Sequence, residues 1–151
     1  MKILIIAAGR AKGGPEAKLA AEYRKRLPGR LEIIEIEQKR GANAEERKAR
    51  EAEKLLAAVP KGSFVVALER TGKIYSSEAF AAEMRKWEMA GHKAVVFVIG
   101  GPDGLADEVL RAAHAKLSLG AMTWPHLLAR VMLLEQLYRA HAIRSGHPYH
   151  K

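Results

Sequence analysis

The segment Leu117-Ser118-Leu119-Gly120-Ala121-Met122-Thr123-Trp124-Pro125-His126 organises the C-terminal third of this chain. Residues 116–119 predict a short last strand, and residues 120–123 predict a compact turn. Trp124-Pro125 then opens a helix with proline in its first turn, which we expect to run to about Arg144. The sequence therefore predicts a strand, a tight turn and a long helix in direct succession.

The predicted helix is apolar over about half of its circumference, taking about 100° per residue. One apolar stripe contains Leu127, Val131, Leu134, Tyr138 and Ala142, and Leu133 and Leu137 widen it. We expect the helix to pack on its own sheet and also on a second chain. The cationic side chains predicted to border that seam are His126, Arg130, His141 and Arg144. Glu135 and Arg139 lie opposite, at the spacing of a solvent-exposed ion pair.

After this helix the sequence closes on His147-Pro148-Tyr149-His150-Lys151. The ends of domains are usually frayed and chemically plain. Here two imidazoles, a phenol and a cation follow an apolar helix directly. We therefore predict that this terminal segment is part of a functional site.

Upstream, short apolar runs alternate with amphipathic stretches, which predicts a mostly parallel α/β sheet with helices on both faces in a single domain, 1–151. The predicted strands are Lys2–Ala8, Leu31–Ile36, 63–68 and Ala94–Ile99, followed by the last strand. The predicted helices cover 15–27, the stretch from the cap Asn43 to Pro60, and the stretch from Ser76 or Ser77 to Gly91.

Ligands of such sheets bind outside the carboxyl ends of the strands, so three loops are of interest. The loop 9–14 is rich in glycine but matches no nucleotide-binding fingerprint, and predicts a flexible turn. Leu68-Glu69-Arg70-Thr71-Gly72-Lys73, taken alone, is an ordinary loop. In Ile99-Gly100-Gly101-Pro102-Asp103-Gly104 the missing Cβ atoms would admit a flat ligand, although for this loop taken alone a tight turn without a ligand is the favoured interpretation. Pro102 and Asp103 suit the start of a helix.

Composition narrows the classes of protein. The 151 residues carry 26 Lys and Arg against 17 Asp and Glu, a formal charge of +9, which favours a nucleic-acid partner. The absence of cysteine excludes disulfides, thiol nucleophiles and thiolate metal sites. No apolar run is long enough to span a membrane, so we expect a soluble, cytoplasmic protein.

Five segments form a distinctive combination. They are Leu68-Glu69-x-x-Gly72-Lys73, Ile99-Gly100-Gly101-Pro102-Asp103-Gly104, Leu117-Ser118-Leu119-x-x-Met122-Thr123-x-Pro125-His126-x-x-x-Arg130-Val131, Glu135-Gln136-Leu137-Tyr138-Arg139-Ala140 and Pro148-Tyr149-His150-Lys151. The combination resembles the small bacterial SPOUT methyltransferases that methylate N3 of pseudouridine in large-subunit ribosomal RNA. The resemblance covers the whole chain, with small departures at Ala52, where a glycine is usual, and Gly120, where a serine is frequent.

The resemblance implies a C-terminal trefoil knot, S-adenosylmethionine bound by the knot loops, no metal, and a homodimer with a composite site. It implies that Leu68 covers the adenine or ribose and that Gly100 admits the cofactor close to the backbone. Main-chain groups and side chains of Leu119, Gly120, Ala121, Met122, Thr123 and Trp124 are expected to wrap the cofactor. The implied partner is ribosomal RNA within the large subunit or the assembled ribosome.

Methyl transfer to an imide nitrogen requires alignment and removal of a proton, and a base or a stabilising cation contributes about 10²–10⁴-fold. The candidates are His150, Tyr149 and Arg130. We expect Tyr149 to stack on or hydrogen-bond the base and His150 to assist proton removal or orient the uracil edge. Arg130 or Arg139 is expected to bind phosphate or to stabilise a negative charge. For Arg130, a structural contact at the dimer seam is an equally good interpretation. His126 is an alternative helix cap.

Three other functions stay open. A SPOUT methyltransferase acting on transfer RNA would share the cofactor site. A non-enzymatic RNA-binding protein would use the basic surface of Arg10, Lys12, Lys25, Lys39 and Arg40. A metal site of His147 and His150 with His126 or His141 is disfavoured, because no carboxylate lies at a useful spacing. No sequence motif indicates whether the substrate is free RNA, the subunit or the assembled ribosome, or whether the pseudouridine must form before methylation.

Overall fold

The computed structural model describes residues 2–27, 29, 31–37 and 40–151. Its strands are β1 Lys2–Ala8, β2 Leu31–Ile36, β3 Phe64–Ile74, β4 Ala94–Ile99 and β5 Ala115–Ser118. Its helices are α1 Pro15–Arg26, α2 Ala44–Ala58, α3 Ser77–Met89, α4 Asp107–Ala112 and α5 His126–Ser145. The five strands form one parallel sheet in the order β2-β1-β4-β3-β5. The predicted α/β class is confirmed.

Both faces of the sheet are covered, because β4 and all of β1 after Lys2 are apolar and each face needs a partner layer. On one face α1, α3 and α5 pack on the strands, and the buried side chains of this core include Phe80, Met84, Trp87, Phe97, Leu133 and Leu134. On the other face α2 and α4 bury Leu55 and Val109 against Val96. The prediction of helices on both faces is confirmed.

Two predicted helix starts are confirmed by their capping bonds. The Asn43 side chain accepts a hydrogen bond from the Glu46 amide at 2.8 Å, and the Ser76 hydroxyl accepts one from the Ala79 amide at 3.1 Å. At the end of α5, Gly146 takes the left-handed conformation with φ +73°. Pro28, which follows the predicted helix 15–27, and Lys39 of the basic set lie outside the described residues.

Two predictions about the strand-end loops were wrong. The residues treated as a loop after 68 belong to β3, which bulges out between Leu68 and Lys73 and then pairs again with β5. The helix expected at Pro102 and Asp103 begins only at Asp107. The Asp103 carboxylate binds Arg47 instead of capping a helix, and a hydrogen bond from the Gly104 amide to the Gly101 carbonyl closes a tight turn there.

The predicted second seam of α5 also needs correction. Leu133 and Leu137 are 0% and 2% exposed, so both belong to the core of their own chain rather than to a surface for another. A charge at Leu133 would therefore unfold the chain and would not test dimerisation. The side of α5 that faces outward contains Leu128, 37% exposed, and one turn later the partly buried Met132.

Within the described ranges no helix is long and apolar enough to cross a membrane. The trefoil knot stays a prediction, since strand order alone does not establish how the chain threads.

Candidate functional site

A cavity of about 730 Å³ opens at the carboxyl ends of β3, β4 and β5. Volumes of about 300–1,000 Å³ are typical of small-molecule sites. Seven of the eight predicted cofactor residues line it, namely Leu68, Gly100, Leu119, Gly120, Met122, Thr123 and Trp124. Ala121 is exposed and is not among the lining residues. The structure thus brings together residues from three separate loops at the predicted edge of the sheet.

Glycine is required in the loop 99–104 and in the bulge of β3, because the backbone comes unusually close at both places. A Cβ on Gly100 would lie 2.7 Å from the carbonyl carbon of Gly104 and 2.8 Å from its oxygen. A Cβ on Gly72 would lie 2.7 Å from the carbonyl carbon of Lys116. Real Cβ atoms do not approach backbone this closely, so both loops exist in this form only with glycine.

The segment after β5 folds over the cavity and is held by its own polar groups. The Ser118 hydroxyl donates to the Arg70 carbonyl at 2.8 Å and accepts from the Gly120 amide at 3.1 Å. Gly120 has φ +116°, a conformation that side chains disfavour. The Trp124 indole N–H donates to the Leu119 carbonyl at 3.3 Å. These bonds tie the segment to the bulge of β3.

The 101–104 turn is supported from the other face of the sheet. Arg47 of α2 donates two hydrogen bonds to the Asp103 carboxylate, at 2.8 and 3.1 Å. The bonded Arg47 guanidinium holds the pKa of Asp103 below its usual range. Sequence reasoning missed Arg47, because 56 residues separate it from its partner and no local motif connects them.

His126 lies in the wall between the cavity and the loop after β1. It lines the cavity, and its Nε2 lies 3.3 Å from where a Cβ on Gly9 would stand. The N-cap of α5 is Pro125 and no side chain bonds there, so His126 does not act as the cap. Burial, with a further contribution from the charge of Arg130, lowers the pKa of His126 below its ordinary value of 6.5. The imidazole is therefore neutral at neutral pH.

Arg130 lies inside the chain and not at an exposed seam. It is 3% exposed and binds the Glu35 carboxylate at 2.6 Å and the Gly9 carbonyl at 3.1 Å. Arg144, predicted on the same band, pairs with Glu88 at 2.5 Å. The loop 9–14, predicted to be a flexible turn, is bound to α5 at its first residue through the Gly9 carbonyl, and its flexibility stays a prediction.

Tyr149 anchors the terminal segment to α5. Its hydroxyl donates to the Glu135 carboxylate at 2.8 Å, and its ring packs edge-on against Tyr138 with centroids 4.6 Å apart. The Arg139 guanidinium lies 4.8 Å above the Tyr149 ring. Burial, and then the hydrogen bond to Glu135, raises the pKa of Tyr149, so the phenol stays protonated at neutral pH.

Glu135 and Arg139 form an ion pair with an N–O distance of 2.6 Å. The prediction that this pair is exposed to solvent was wrong, because the terminal segment covers it. Burial alone would raise the pKa of Glu135, but hydrogen bonds from Arg139 and Tyr149 outweigh it and leave that pKa lowered. The carboxylate is therefore a stable acceptor for the tyrosine.

His150 lies between two charged partners. Its Nδ1 is 3.0 Å from Arg139 Nη1, and its Nε2 is 2.7 Å from Glu78 Oε1. Because a guanidinium only donates, Nδ1 accepts, and Nε2–H of the neutral ring donates to Glu78. Neither Tyr149 nor His150 is among the described residues that line the cavity. Their predicted roles, and that of Arg130, stay predictions.

The proposed metal ligands are not gathered in one place. His147 accepts a hydrogen bond from the Tyr149 amide, His150 contacts Arg139, and His126 lies at the cavity. In the part of the chain that the structure describes, no group of three His, Asp or Glu side chains is placed to hold a metal ion.

The parallel sheet, with a glycine-lined cavity where three strands end, defines a cofactor-binding α/β protein. The family described as "Predicted SPOUT methyltransferase" matches residues 1–150. The chain belongs to this family.

Relatives with curated names match along the whole chain. A protein of Rhodospirillum rubrum named "Ribosomal RNA large subunit methyltransferase H" is 50% identical, covering 100% of this chain and 99% of its own length. A protein of the same name from Rhodopseudomonas palustris is 46% identical with the same coverage.

Solved structures show the same fold at low identity. A probable methylase family protein from Haemophilus influenzae has TM-score 0.59 and 14% identity, covering 99% of this chain and 70% of its own. The methyltransferase AviRb from Streptomyces viridochromogenes, solved in complex with AdoMet, has TM-score 0.51 and 10% identity, covering 93% of this chain and 58% of its own.

Proposed function

We propose that this protein is an S-adenosylmethionine-dependent methyltransferase that acts on N3 of a pseudouridine in large-subunit ribosomal RNA. The observation that carries the proposal is the cavity lined by seven of the eight predicted cofactor residues, Leu68, Gly100, Leu119, Gly120, Met122, Thr123 and Trp124. The names of the full-length relatives favour ribosomal RNA over transfer RNA. A purely RNA-binding protein would have no use for such a cavity.

The residues present fit this cofactor. The closely packed glycine loops leave main-chain groups bare for an adenine and ribose, and the apolar side chains of Leu68 and Leu119 suit the flat faces of the base. The lining also contains the charged side chains of Glu69, Arg70 and Asp103, and the Asp103 carboxylate is bound by Arg47. When bound, S-adenosylmethionine supplies a methyl group on a positively charged sulfur.

The chain contributes alignment, exclusion of water and proton removal. The substrate loses its N3 proton and gains the methyl group there, so a proton acceptor must face the uracil edge. His126 is at the cavity wall, whereas His150 is outside the cavity of its own chain. We assign proton removal to His150 supplied by a second copy of the chain.

A homodimer would bring that tail to the cavity. Large apolar side chains are exposed around the site: Ile74, Met122, Trp124 and Leu128 are 66%, 74%, 40% and 37% exposed. Ile74 and the partly buried Met132 line a second groove of about 470 Å³, which shares Leu119 and Gly120 with the cavity. Exposed apolar surface next to a ligand site is typical of a protein interface. The cytoplasm, where ribosomes work, is the proposed compartment.

Leu128→Asp is expected to convert the dimer to monomer and to abolish methyl transfer, because it places a charge in the proposed interface. Mass from light scattering and transfer to RNA are the two measurements. Met89→Asp, at a side chain that is 73% exposed on α3, is the matched control and should change neither. An active monomeric Leu128→Asp protein would refute the composite site.

The lowered pKa of His126 predicts a specific pH dependence of cofactor affinity. The imidazole is neutral above its ordinary value of 6.5 and gains a proton only at more acid pH, where it would repel the sulfonium. Affinity relative to His126→Gln should be constant on the alkaline side and fall by about fivefold on acidification, a repulsion of about 1 kcal/mol. Titrations of both proteins over that range measure the ratio. A pH-independent ratio would contradict this role.

Calorimetric titration with S-adenosylmethionine in the absence of RNA tests the proposed function first. Saturable binding to one class of site is expected. The methyl group is then mapped in free RNA, large subunits and assembled ribosomes, each with and without the pseudouridine. Absence of cofactor binding, both alone and with ribosomes added, would overturn the proposal.

A further inference from the structure

The guanidinium of Arg130 is a buried charge, 3% exposed, close to His126 of the cavity wall. Its Nη1 lies 2.6 Å from Glu35 Oε2 and its Nη2 donates to the Gly9 carbonyl at 3.1 Å. Glu35 belongs to β2, Gly9 directly follows β1, and Arg130 lies on α5. One side chain therefore connects three elements that are far apart in the sequence.

The same Glu35 oxygen also holds the loop after β1. It accepts a hydrogen bond from the Ala11 amide at 2.8 Å, and the Gly9 amide donates to the Ile36 carbonyl at 2.8 Å. Burial alone would raise the pKa of Glu35, but the bonds from Ala11 and Arg130 outweigh it and lower that pKa. Glu35 is ionised, and residues 9–13, here called the β1 loop, are fixed at several points.

The β1 loop, which begins beside the cavity-lining residue His126, carries two exposed cations. Arg10 and Lys12 are both exposed, and within the described ranges neither lies within 4 Å of a carboxylate. Gly9, at the start of the loop, faces His126 of the cavity wall. Exposed cations beside the site of chemistry are suited to phosphates of an RNA backbone.

Stability alone does not account for this arrangement. A buried ion pair is often no more stabilising than well-packed apolar side chains, because both charges lose their water. Here Arg130 Nε is also buried with no hydrogen-bond partner among the described residues, which adds a cost. What the pair provides is geometry, since it fixes a basic loop relative to the first turn of α5.

We propose that Glu35 is a positioning residue for the RNA substrate. With Arg130 it fixes the β1 loop at the mouth of the cavity, so that Arg10 and Lys12 hold RNA phosphate at a set distance from the reacting base. The inference rests on the proposed function, which it deepens by naming a contact surface for the RNA backbone.

A double-mutant cycle between Glu35 and Lys12 tests the proposal, with RNA affinity as the readout so that methyl transfer is not needed. Lys12 is chosen over Arg10 because the charge of Arg10 acts directly on Glu35. The proteins are the wild type, Lys12→Ala, Glu35→Ala and the double variant. The probe is the large-subunit RNA fragment, titrated at several salt concentrations. Glu32→Ala is the matched control, an exposed carboxylate on the same strand that pairs with Lys2 at 2.6 Å.

Lys12→Ala is expected to weaken RNA binding about fivefold and to reduce the salt slope by about 0.7–0.9, as for one lost phosphate contact. Glu35→Ala is expected to weaken binding by about tenfold while cofactor affinity changes by less than about twofold. In the Glu35→Ala background, Lys12→Ala should have almost no further effect. Glu32→Ala should match the wild type.

Two independent, multiplying effects would overturn the positioning role, as would an unchanged affinity in Lys12→Ala. If thermal unfolding shows that Glu35→Ala is not folded, Glu35→Gln replaces it, because the amide oxygen still accepts one bond while the charge is lost. The same non-additivity is expected there. If the Glu35 and Lys12 effects on RNA affinity are coupled but the wild type does not bind S-adenosylmethionine, the proposed function is overturned. The role of Glu35 in RNA binding would then still hold.

Discussion

Gly100→Val is expected to lower the affinity for S-adenosylmethionine by about a hundredfold, since overpacking of this kind costs about 1–3 kcal/mol. The first atom of any side chain at this position would stand 2.7 Å from the carbonyl carbon of Gly104. That neighbour is backbone and cannot rotate away. The turn 101–104 must shift, and this turn forms part of the cavity wall.

Calorimetry measures the loss, and thermal unfolding with and without cofactor shows whether the variant is folded. Gly101→Ala gives a graded comparison, because its Cβ would lie 3.4 Å from the nearest atom, Glu51 Oε1, which is ordinary contact. A smaller loss is expected there. Gly29→Ala, where no described atom lies within 4 Å of the added Cβ, is the control and should bind as the wild type does. Normal binding by a folded Gly100→Val protein would contradict the cofactor assignment.

The strands and helices were predictable because their signals are local. The strands β1, β2 and β4 have the predicted ends, and the caps Asn43 and Ser76 are found at the predicted helix starts, whereas β3 runs on to residue 74 and β5 is displaced by one residue. The cavity followed from the general rule on strand ends and from the resemblance, which together placed three loops at one edge of the sheet. Where local preference and tertiary demand agree, sequence reasoning succeeds.

The parts that failed depend on long-range partners. Asp103 is a residue type that often begins a helix, but its carboxylate accepts a hydrogen bond from Arg47, 56 residues away in the sequence. The spacing on α5 predicts Arg130 at the surface. In the structure it is buried and paired with Glu35, which is 95 residues away in the sequence. Glu35 could have been suspected from its place at the carboxyl end of β2, beside the end of β1. Only the order of the strands brings these ends together.

The terminal segment illustrates a further limit. Its composition predicts part of a functional site, but the sequence could not say which surface of the protein it covers. In the structure Tyr149 packs on Tyr138 and His150 reaches Glu78 of α3, so the segment lies along its own α5 beside the groove that Ile74 and Met132 line. In the proposed dimer, a second copy that packs on this groove would receive the tail at its own cavity, and the tail would complete the proposed site there.

His150→Ala is expected to slow methyl transfer by about 10²–10⁴-fold, the usual contribution of a general base. Cofactor affinity should stay within about twofold of the wild type, because the proposed role of His150 is to accept the substrate proton and not to hold the cofactor. Single-turnover transfer with saturating cofactor measures the chemical step. His147→Ala is the matched control, an exposed imidazole in the same segment whose contact is to the Tyr149 amide, and it should transfer at the wild-type rate.

The hydrogen bonds of His150 add a second expectation. With Nδ1 accepting from Arg139 and Nε2–H donating to Glu78, the ring has no free lone pair for a substrate proton. The ring must release Arg139 before it can act as a base. The hydrogen bond to Glu78 holds the ring in the arrangement in which it cannot yet accept a proton. Glu78→Gln weakens that contact and should leave transfer unchanged or faster, whereas His150→Ala should slow it. Full single-turnover activity in His150→Ala would exclude His150 as the base and would make His126, already at the cavity wall, the group to test next.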